Sequence, residues 1–67
     1  MIKWYKEGTR LHYAEAGPWR VEVSNEGRGL WFIQFWLSSI GFFKLHRGTL
    51  QSAKQKAARV LVALAEE

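Results

Sequence analysis

The sequence predicts an α+β fold, in which an antiparallel sheet of three or four strands is followed by one C-terminal helix packed on one face of the sheet. Apolar and polar residues alternate through much of the chain before residue 48, which is typical of strands, whereas the apolar residues of the last third recur at helical spacing. The 67 residues allow one small domain, with the sheet at about residues 10–46 and the helix at about residues 49–66.

The last predicted element is an amphipathic helix. Thr49 is a good N-cap residue directly after Gly48, and neither glycine nor proline occurs between Thr49 and Glu67. Apolar residues recur three and four positions apart in this segment, which places them on one side of a helix. The members of this stripe are Leu50, Ala53, Ala57, Val60, Leu61 and Leu64.

The two central strands are predicted to form a hairpin. Trp19, Val21 and Val23 alternate with polar residues, as in a strand that buries one face. A turn with two glycines follows at residues 25–29. Leu30–Leu37 then gives eight residues rich in aromatic and β-branched side chains, which favour a strand.

Shorter strands are predicted on both sides of this hairpin. Residues 11–14 alternate in polarity before the Gly-Pro pair at 17–18 ends the segment. Two serines at 38–39 start another turn after the hairpin. Residues 42–45 then form a third strand, next to the two strands of the hairpin. Residues 2–4 offer a further edge strand, because Ile2 and Trp4 are apolar and separated by a lysine.

The aromatic residues exceed what one helix can cover. Successive residues of Leu30–Leu37 point to opposite faces of a sheet, and both faces receive large apolar side chains. Three interpretations stay open for the uncovered rings: they stack on single-stranded bases, they anchor a protein partner, or another part of the chain covers them. The candidate interface residues are Leu30, Phe32, Trp36 and Phe42.

Basic residues outnumber acidic ones, with ten Lys and Arg against six Glu, which gives a net charge of +4. Those that surround the helix start have no acidic residue among them, and the N-terminus of a helix already carries partial positive charge. This arrangement suits a phosphate, although a solvated helix face rich in Lys and Arg is the alternative. The candidate nucleic-acid-binding residues are Lys44, Arg47, Lys54, Lys56 and Arg59, with Arg20 and Arg28 added for contacts to bases or grooves.

The sequence predicts neither an enzyme nor a metal or cofactor site. Cys and Asp are absent, and His12 and His46 do not stand with a Glu at ligand or triad spacing. The glycines of residues 27–29 are interpreted as a turn, since a phosphate-binding loop would end on Lys-Ser or Lys-Thr. We expect a cytoplasmic protein without a membrane partner, because no stretch reaches the roughly 20 apolar residues of a spanning helix and the N-terminus lacks the apolar core of a signal peptide.

The order strand–strand–strand–helix from Trp19 onward resembles the C-terminal half of double-stranded-RNA-binding domains, and residues 52–61 look like their Ala-Lys-x-x-Ala-Ala helix start. The resemblance implies that Lys54 contacts phosphate, as lysines at this helix start do in that family. The first helix of the family has no counterpart here, and its Lys-Lys pair is replaced by Ser52-Ala53. The same order is similar to AP2-like domains, to arm-binding domains of phage integrases, which bind DNA through the sheet, and to small phage and prophage proteins.

Two functions of different classes are therefore predicted. The first is a small module that binds DNA or RNA, for example as an accessory protein of a phage or mobile element. The alternative is a protein-interaction module, or a phage-encoded inhibitor of a host protein, that acts through the exposed aromatic face. A homodimer is compatible with both, because a chain of this size has a marginal core that aromatic packing across an interface would extend.

Overall fold

The computed structural model describes residues 2–66, which form five strands and one helix. The strands follow the chain order across a single sheet, and every neighbouring pair is antiparallel. The elements are β1 (Tyr5–Glu7), β2 (Leu11–Ala16), β3 (Trp19–Gly27), β4 (Leu30–Leu37), β5 (Ile40–Arg47) and α1 (Leu50–Ala65).

The fold is α+β, but the prediction of three or four strands is wrong, because the sheet has five. The additional strand is β1, whose three residues are all exposed and therefore show no alternation between a buried and a solvent face. Pairing with β2 holds it in place, and the Tyr5 and Tyr13 rings stack with their centroids 5.3 Å apart. Ile2 and Trp4 precede this strand and pack against the core instead of forming an edge strand.

The core lies between α1 and one face of the sheet. Val21 and Val23 of β3 are opposite Phe35 and Ile33 of β4, and all four side chains are fully buried. The helix packs on this layer chiefly over β3, with β4 and β2 on either side, and it buries two alanines and a leucine. Small side chains at the contact let the helix approach the sheet closely. The buried helical residues are Ala53, Ala57 and Leu61.

The connection between β5 and α1 fixes where the helix begins. Thr49 is its N-cap, as the sequence predicts, and it forms a reciprocal capping box with Ser52. Gly48 donates its N–H to the Gly29 carbonyl at 2.8 Å, and its own carbonyl accepts from the Trp31 indole at 2.9 Å. These bonds hold the helix start against the turn that joins β3 and β4.

The helix leaves β5 uncovered, because it lies over the centre of the sheet rather than over this edge. The face of the sheet away from the helix, here called the outer face, is not covered by any element of residues 2–66. These two surfaces and the end of the sheet beside the helix start carry the candidate functional residues.

Candidate functional site

The basic cluster predicted around the helix start divides between the two flanks of α1. Lys54 lies on the flank next to the N-terminal segment, where its ammonium is 5.6 Å from the centre of the Trp4 ring. Ile2 and Trp4 line a shallow groove with this lysine. The position that the double-stranded-RNA-binding resemblance assigns to phosphate is therefore half-buried against the protein's own N-terminal residues.

Lys56 lies on the opposite flank, which faces β5. Ser52 stands one helical turn before Lys56, and its Oγ is 2.9 Å from Nε2 of His46 on β5. Lys44 precedes His46 by two residues and therefore points to the same side of the sheet. Lys44, His46 and Lys56 thus form one surface between β5 and α1, which we call the cationic flank.

The end of the sheet beside the helix start carries three arginines, two in turns and one at the end of β5. Arg47 ends β5 and is opposite Leu30, so it lies next to the turn that contains Arg28. Arg10 is in the turn before Leu11, and the register of β2 with β3 places this turn at the same end of the sheet. We call Arg10, Arg28 and Arg47 the arginine end; Glu7 and Glu26 are acidic residues of this region.

Arg20 does not join the other candidate cations. It lies on the outer face, where its Nε donates to Glu22 at 2.9 Å and an Nη is 3.9 Å from Glu15. Its guanidinium also stacks 4.0 Å from the centre of the Tyr13 ring. Its guanidinium is therefore occupied by contacts with neighbouring residues of the sheet. Arg59 is exposed on the solvent side of α1, away from both flanks.

The other lysine and arginine side chains of residues 2–66 have no carboxylate partner. Among residues 2–66, Arg20 is the only lysine or arginine that forms an ion pair with a carboxylate. The first turn of α1 has no acidic residue, so the partial positive charge of the helix start is not offset there. Both the cationic flank and the arginine end therefore present positive charge to solvent.

His12 lies near two lysines on the flank of α1 that carries Lys54, and their positive charge affects its protonation. Burial lowers the pKa of its imidazole below the ordinary value of 6.5, and the charges of Lys54 and Lys6 lower it further. Lys6 is directly opposite His12 on β1, and Lys54 approaches from the helix. The neutral form of His12 is therefore the favoured form at pH 7.

The candidate interface residues fall on two faces of the sheet. Leu30, Phe32 and Trp36 lie on the outer face, as their alternation with the buried Ile33 and Phe35 requires. Phe42 lies on the helix side, where it stacks on Phe35 with a centroid distance of 4.9 Å.

Two exposed apolar residues of the outer face are not among the interface residues predicted from the sequence. Phe43 and Leu45 of β5 are 57% and 54% exposed, more than any of the predicted residues on that face. Phe43 stacks on Phe32 at 4.8 Å, and Leu45 is directly opposite Phe32. The signal that could have found them is the same alternation, since residues two apart on β5 share a face.

The described part of the chain holds no group of three or more His, Asp or Glu residues placed to bind a metal ion. Its single helix has 16 residues, and none of the described helical structure is long and apolar enough to cross a membrane.

No protein-family model matches the sequence, and neither the curated proteins nor the solved structures contain a significant match. The resemblances drawn from the sequence therefore stay predictions.

Proposed function

We propose that this protein is a non-enzymatic module that binds nucleic acid through the cationic flank and the adjoining arginine end. The observation that carries the proposal is the set of cations around the start of α1 that form no ion pair with any carboxylate of residues 2–66. Lys44 and Lys56 lie on this flank, and Arg47 and Arg28 continue the positive surface around the end of β5. Cations without carboxylate partners are the groups that replace condensed counterions on a phosphate backbone.

The helix start strengthens this surface for an anion. The capping box satisfies two of the free N–H groups, those of Thr49 and Ser52, and the remaining first-turn N–H groups still point out of the helix. Their partial charge adds to that of the lysines on the flank. The proposed site differs from the one implied by the resemblance, because Lys54 lies on the opposite flank and contacts Trp4.

A protein-interaction module is the second candidate, and the exposed apolar side chains of the outer face favour it. Phe43 and Leu45 join Leu30, Phe32 and Trp36 into one patch across β4 and β5. Contiguous apolar surface of this kind marks interaction sites in small proteins. The change that tests it is Phe43→Ser with Leu45→Ser, which should abolish capture of a protein partner.

Fluorescence anisotropy with labelled 20-nucleotide single strands of DNA and RNA, and with a 20-base-pair duplex, tests the main proposal. If about four phosphates are neutralised, raising the salt from 50 to 200 mM should weaken binding by about 50-fold for a single strand and about 150-fold for a duplex. Absence of binding to all three probes at 50 mM salt would refute the proposal.

Two double variants of equal net charge distinguish binding at the cationic flank from attraction by the positive charge of the whole protein. Lys44→Glu with Lys56→Glu reverses the cationic flank, whereas Lys3→Glu with Arg59→Glu reverses two exposed cations outside it. Each double variant removes four units of positive charge, so both lower the net charge from +4 to zero. We expect the flank variant to bind at least about tenfold more weakly than the matched variant, because local contacts add to the long-range field. Equal weakening in both would place binding elsewhere.

A further inference from the structure

The two edges of the sheet are protected to different degrees. β1 has three residues and places Lys6 and Glu7 on its edge, which are the devices by which proteins discourage pairing with another chain. β5 has eight residues, and its apolar side chains are exposed on both faces of the sheet. A long, apolar and unpaired edge strand is a template for pairing with a further strand.

The hydrogen-bond register shows which backbone groups of β5 are free. The bond from the Gly48 N–H to the Gly29 carbonyl marks a hydrogen-bonded pair, and such pairs alternate along an antiparallel ladder. Every second residue from Gly48 back to Ile40 therefore turns its N–H and C=O toward β4. The residues between them turn these groups to the open edge. These outward residues are Gly41, Phe43, Leu45 and Arg47.

The side chains of β5 add apolar surface on both sides of this edge. Ile40 is 75% exposed and Phe42 is 39% exposed on the helix side, and Phe43 and Leu45 are more than half exposed on the outer face. Together they offer up to about 400 Å² of apolar side chain in each copy, taking about 200 Å² for a large side chain. Two copies with their backbones then approach the lower limit of about 1,200 Å² for specific interfaces.

We propose that this protein forms a symmetric homodimer in which β5 pairs antiparallel with β5 of a second copy, giving one sheet of ten strands. An antiparallel pair places the same strand on both sides of a two-fold axis, so outward-turned backbone groups of one copy meet outward-turned backbone groups of the other. The interface is closed, because each copy has one such edge. The two copies then leave only the short, charged β1 strands as edges.

Charge selects the register of this pairing. Two registers overlap nearly the whole of β5 and match outward groups with outward groups, one centred on Phe43 and the other on Lys44. Centring on Lys44 would place the two lysines directly opposite each other, with Cα atoms about 4.5 Å apart, which is destabilising. Centring on Phe43 places the two phenylalanines opposite each other and puts Lys44 opposite the second copy's Phe42. The dimer is centred on Phe43.

The pairing has a consequence for the proposed site. Residues directly opposite each other across paired strands point to the same face, so both helices lie on one side of the continuous sheet. Each α1 lies over β3, and five strand spacings of about 4.8 Å separate the two helix axes by about 24 Å. The two cationic flanks then face each other across one groove. The dimer doubles the number of phosphate-binding lysines on that side.

Sedimentation equilibrium between 5 and 500 µM, without nucleic acid, tests the dimer independently of the proposed function. We expect a reversible monomer–dimer equilibrium for the natural chain. Phe43→Lys should be a monomer, because it places two charges opposite each other at the axis. Tyr5→Lys is the matched control, since Tyr5 is an exposed aromatic residue stacked on another ring at the opposite edge, and it should dimerise normally.

Leu45→Pro gives a second variant that acts on the backbone. The Leu45 N–H points to the open edge, so its loss leaves the bonds between β4 and β5 in place and removes one donor from the dimer. A monomer at all concentrations for the natural chain overturns the proposal and leaves the edge to a different protein or to solvent. Retention of the dimer in both Phe43→Lys and Leu45→Pro overturns it as well.

Cross-linking tests the register, because the natural chain has no cysteine. Opposite residues of a hydrogen-bonded pair have Cα atoms about 5.5 Å apart, within the range of a disulfide. Phe43→Cys should therefore form a covalent dimer under mild oxidation, whereas Tyr5→Cys should not. Efficient cross-linking of Tyr5→Cys, or none of Phe43→Cys in a dimeric sample, would contradict pairing centred on Phe43.

Discussion

The indole of Trp36 lies directly against Gly41 on the neighbouring strand, and the two residues are opposite each other in the ladder of β4 and β5. A Cβ added at Gly41 would come within 2.9 Å of the Trp36 ring and 2.4 Å of the Phe35 carbonyl oxygen. The glycine thus makes room for the indole on the outer face. Trp36 is consequently a poor choice for testing an interface, because its removal would also change the sheet.

Gly41→Ala should destabilise the fold by about 1–3 kcal/mol, because the added methyl group forces either the backbone or the indole to move. This outcome is opposite in sign to the usual gain of about 0.5–1 kcal/mol when alanine replaces glycine in a strand. Urea unfolding monitored by tryptophan fluorescence measures the change. Ser39→Ala, in the exposed turn before β5, is the control that should leave the midpoint unchanged. An unchanged or raised midpoint for Gly41→Ala would show that the close approach is relieved without cost.

Leu61→Ala should cost about 2–5 kcal/mol, because Leu61 is fully buried between α1 and the sheet and its truncation leaves a cavity. Val62→Ala, one residue later and 42% exposed, should cost less than about 0.5 kcal/mol. Thermal and urea unfolding of both variants at the same protein concentration check the difference. Equal losses would mean that the helix does not bury the side of α1 that carries Leu61.

Thr49→Asp should separate helix stability from anion binding. Aspartate is a strong N-cap residue and its charge suits the helix start, so the free energy of unfolding should stay within about 0.5 kcal/mol of the natural value. The same charge lies beside the cationic flank and should weaken binding of nucleic acid severalfold. Thr49→Asn, which caps without charge, should keep both properties. Anisotropy titrations and urea unfolding of the two variants give the measurement, and undiminished binding by Thr49→Asp would place the phosphate away from the helix start.

Acidification should destabilise the protein through His12. Its pKa is lower in the folded protein than the ordinary 6.5, chiefly because of burial and further because of Lys54 and Lys6. The unfolded chain therefore binds a proton more readily, so this contribution to stability is complete above pH 6.5 and is lost as the pH falls through the folded pKa. Unfolding midpoints between pH 7.5 and 5.5 should fall for the natural chain and change less for His12→Gln.

His46→Gln serves as the control for this pH dependence, because it changes the histidine that contacts Ser52 and leaves His12 and its neighbours in place. It should keep the fall in stability on acidification. A flat pH profile for the natural chain, or the same slope in His12→Gln, would contradict the assignment to His12.

The spacing of apolar residues in the sequence predicted those strands and the helix that bury one face and expose the other. The alternation of Val21 and Val23 and the stripe through Ala53, Ala57 and Leu61 identify part of the core, because the structure buries all five residues completely. Thr49 could be predicted as the N-cap since its role depends on residues within one turn. β1 could not be predicted, because three exposed residues carry no pattern and the strand exists only through its pairing with β2.

The candidate site depended on information that the local pattern does not contain. Lys54 and Lys56 are close in sequence and read as one cluster, yet two residues span about 200° of a helix and place them on opposite flanks. Which lysine joins Lys44 follows from how α1 is rotated on the sheet, and the contact between His46 and Ser52 shows that rotation. The charge of Arg20 predicts a nucleic-acid contact, whereas its ion pairs with Glu22 and Glu15 depend on the sheet and are not visible in the local pattern.

The sequence by itself determined a small basic domain with a hairpin of apolar strands, one capped helix and more aromatic residues than a single helix can cover. These features follow from charge, period and capping, which act between residues near each other in the chain. The tertiary structure alone decided that the helix lies over β3 and leaves β5 open, because that choice depends on packing between distant segments. From that placement come the cationic flank, the exposed Phe43 and Leu45, and the free edge that we assign to a second copy.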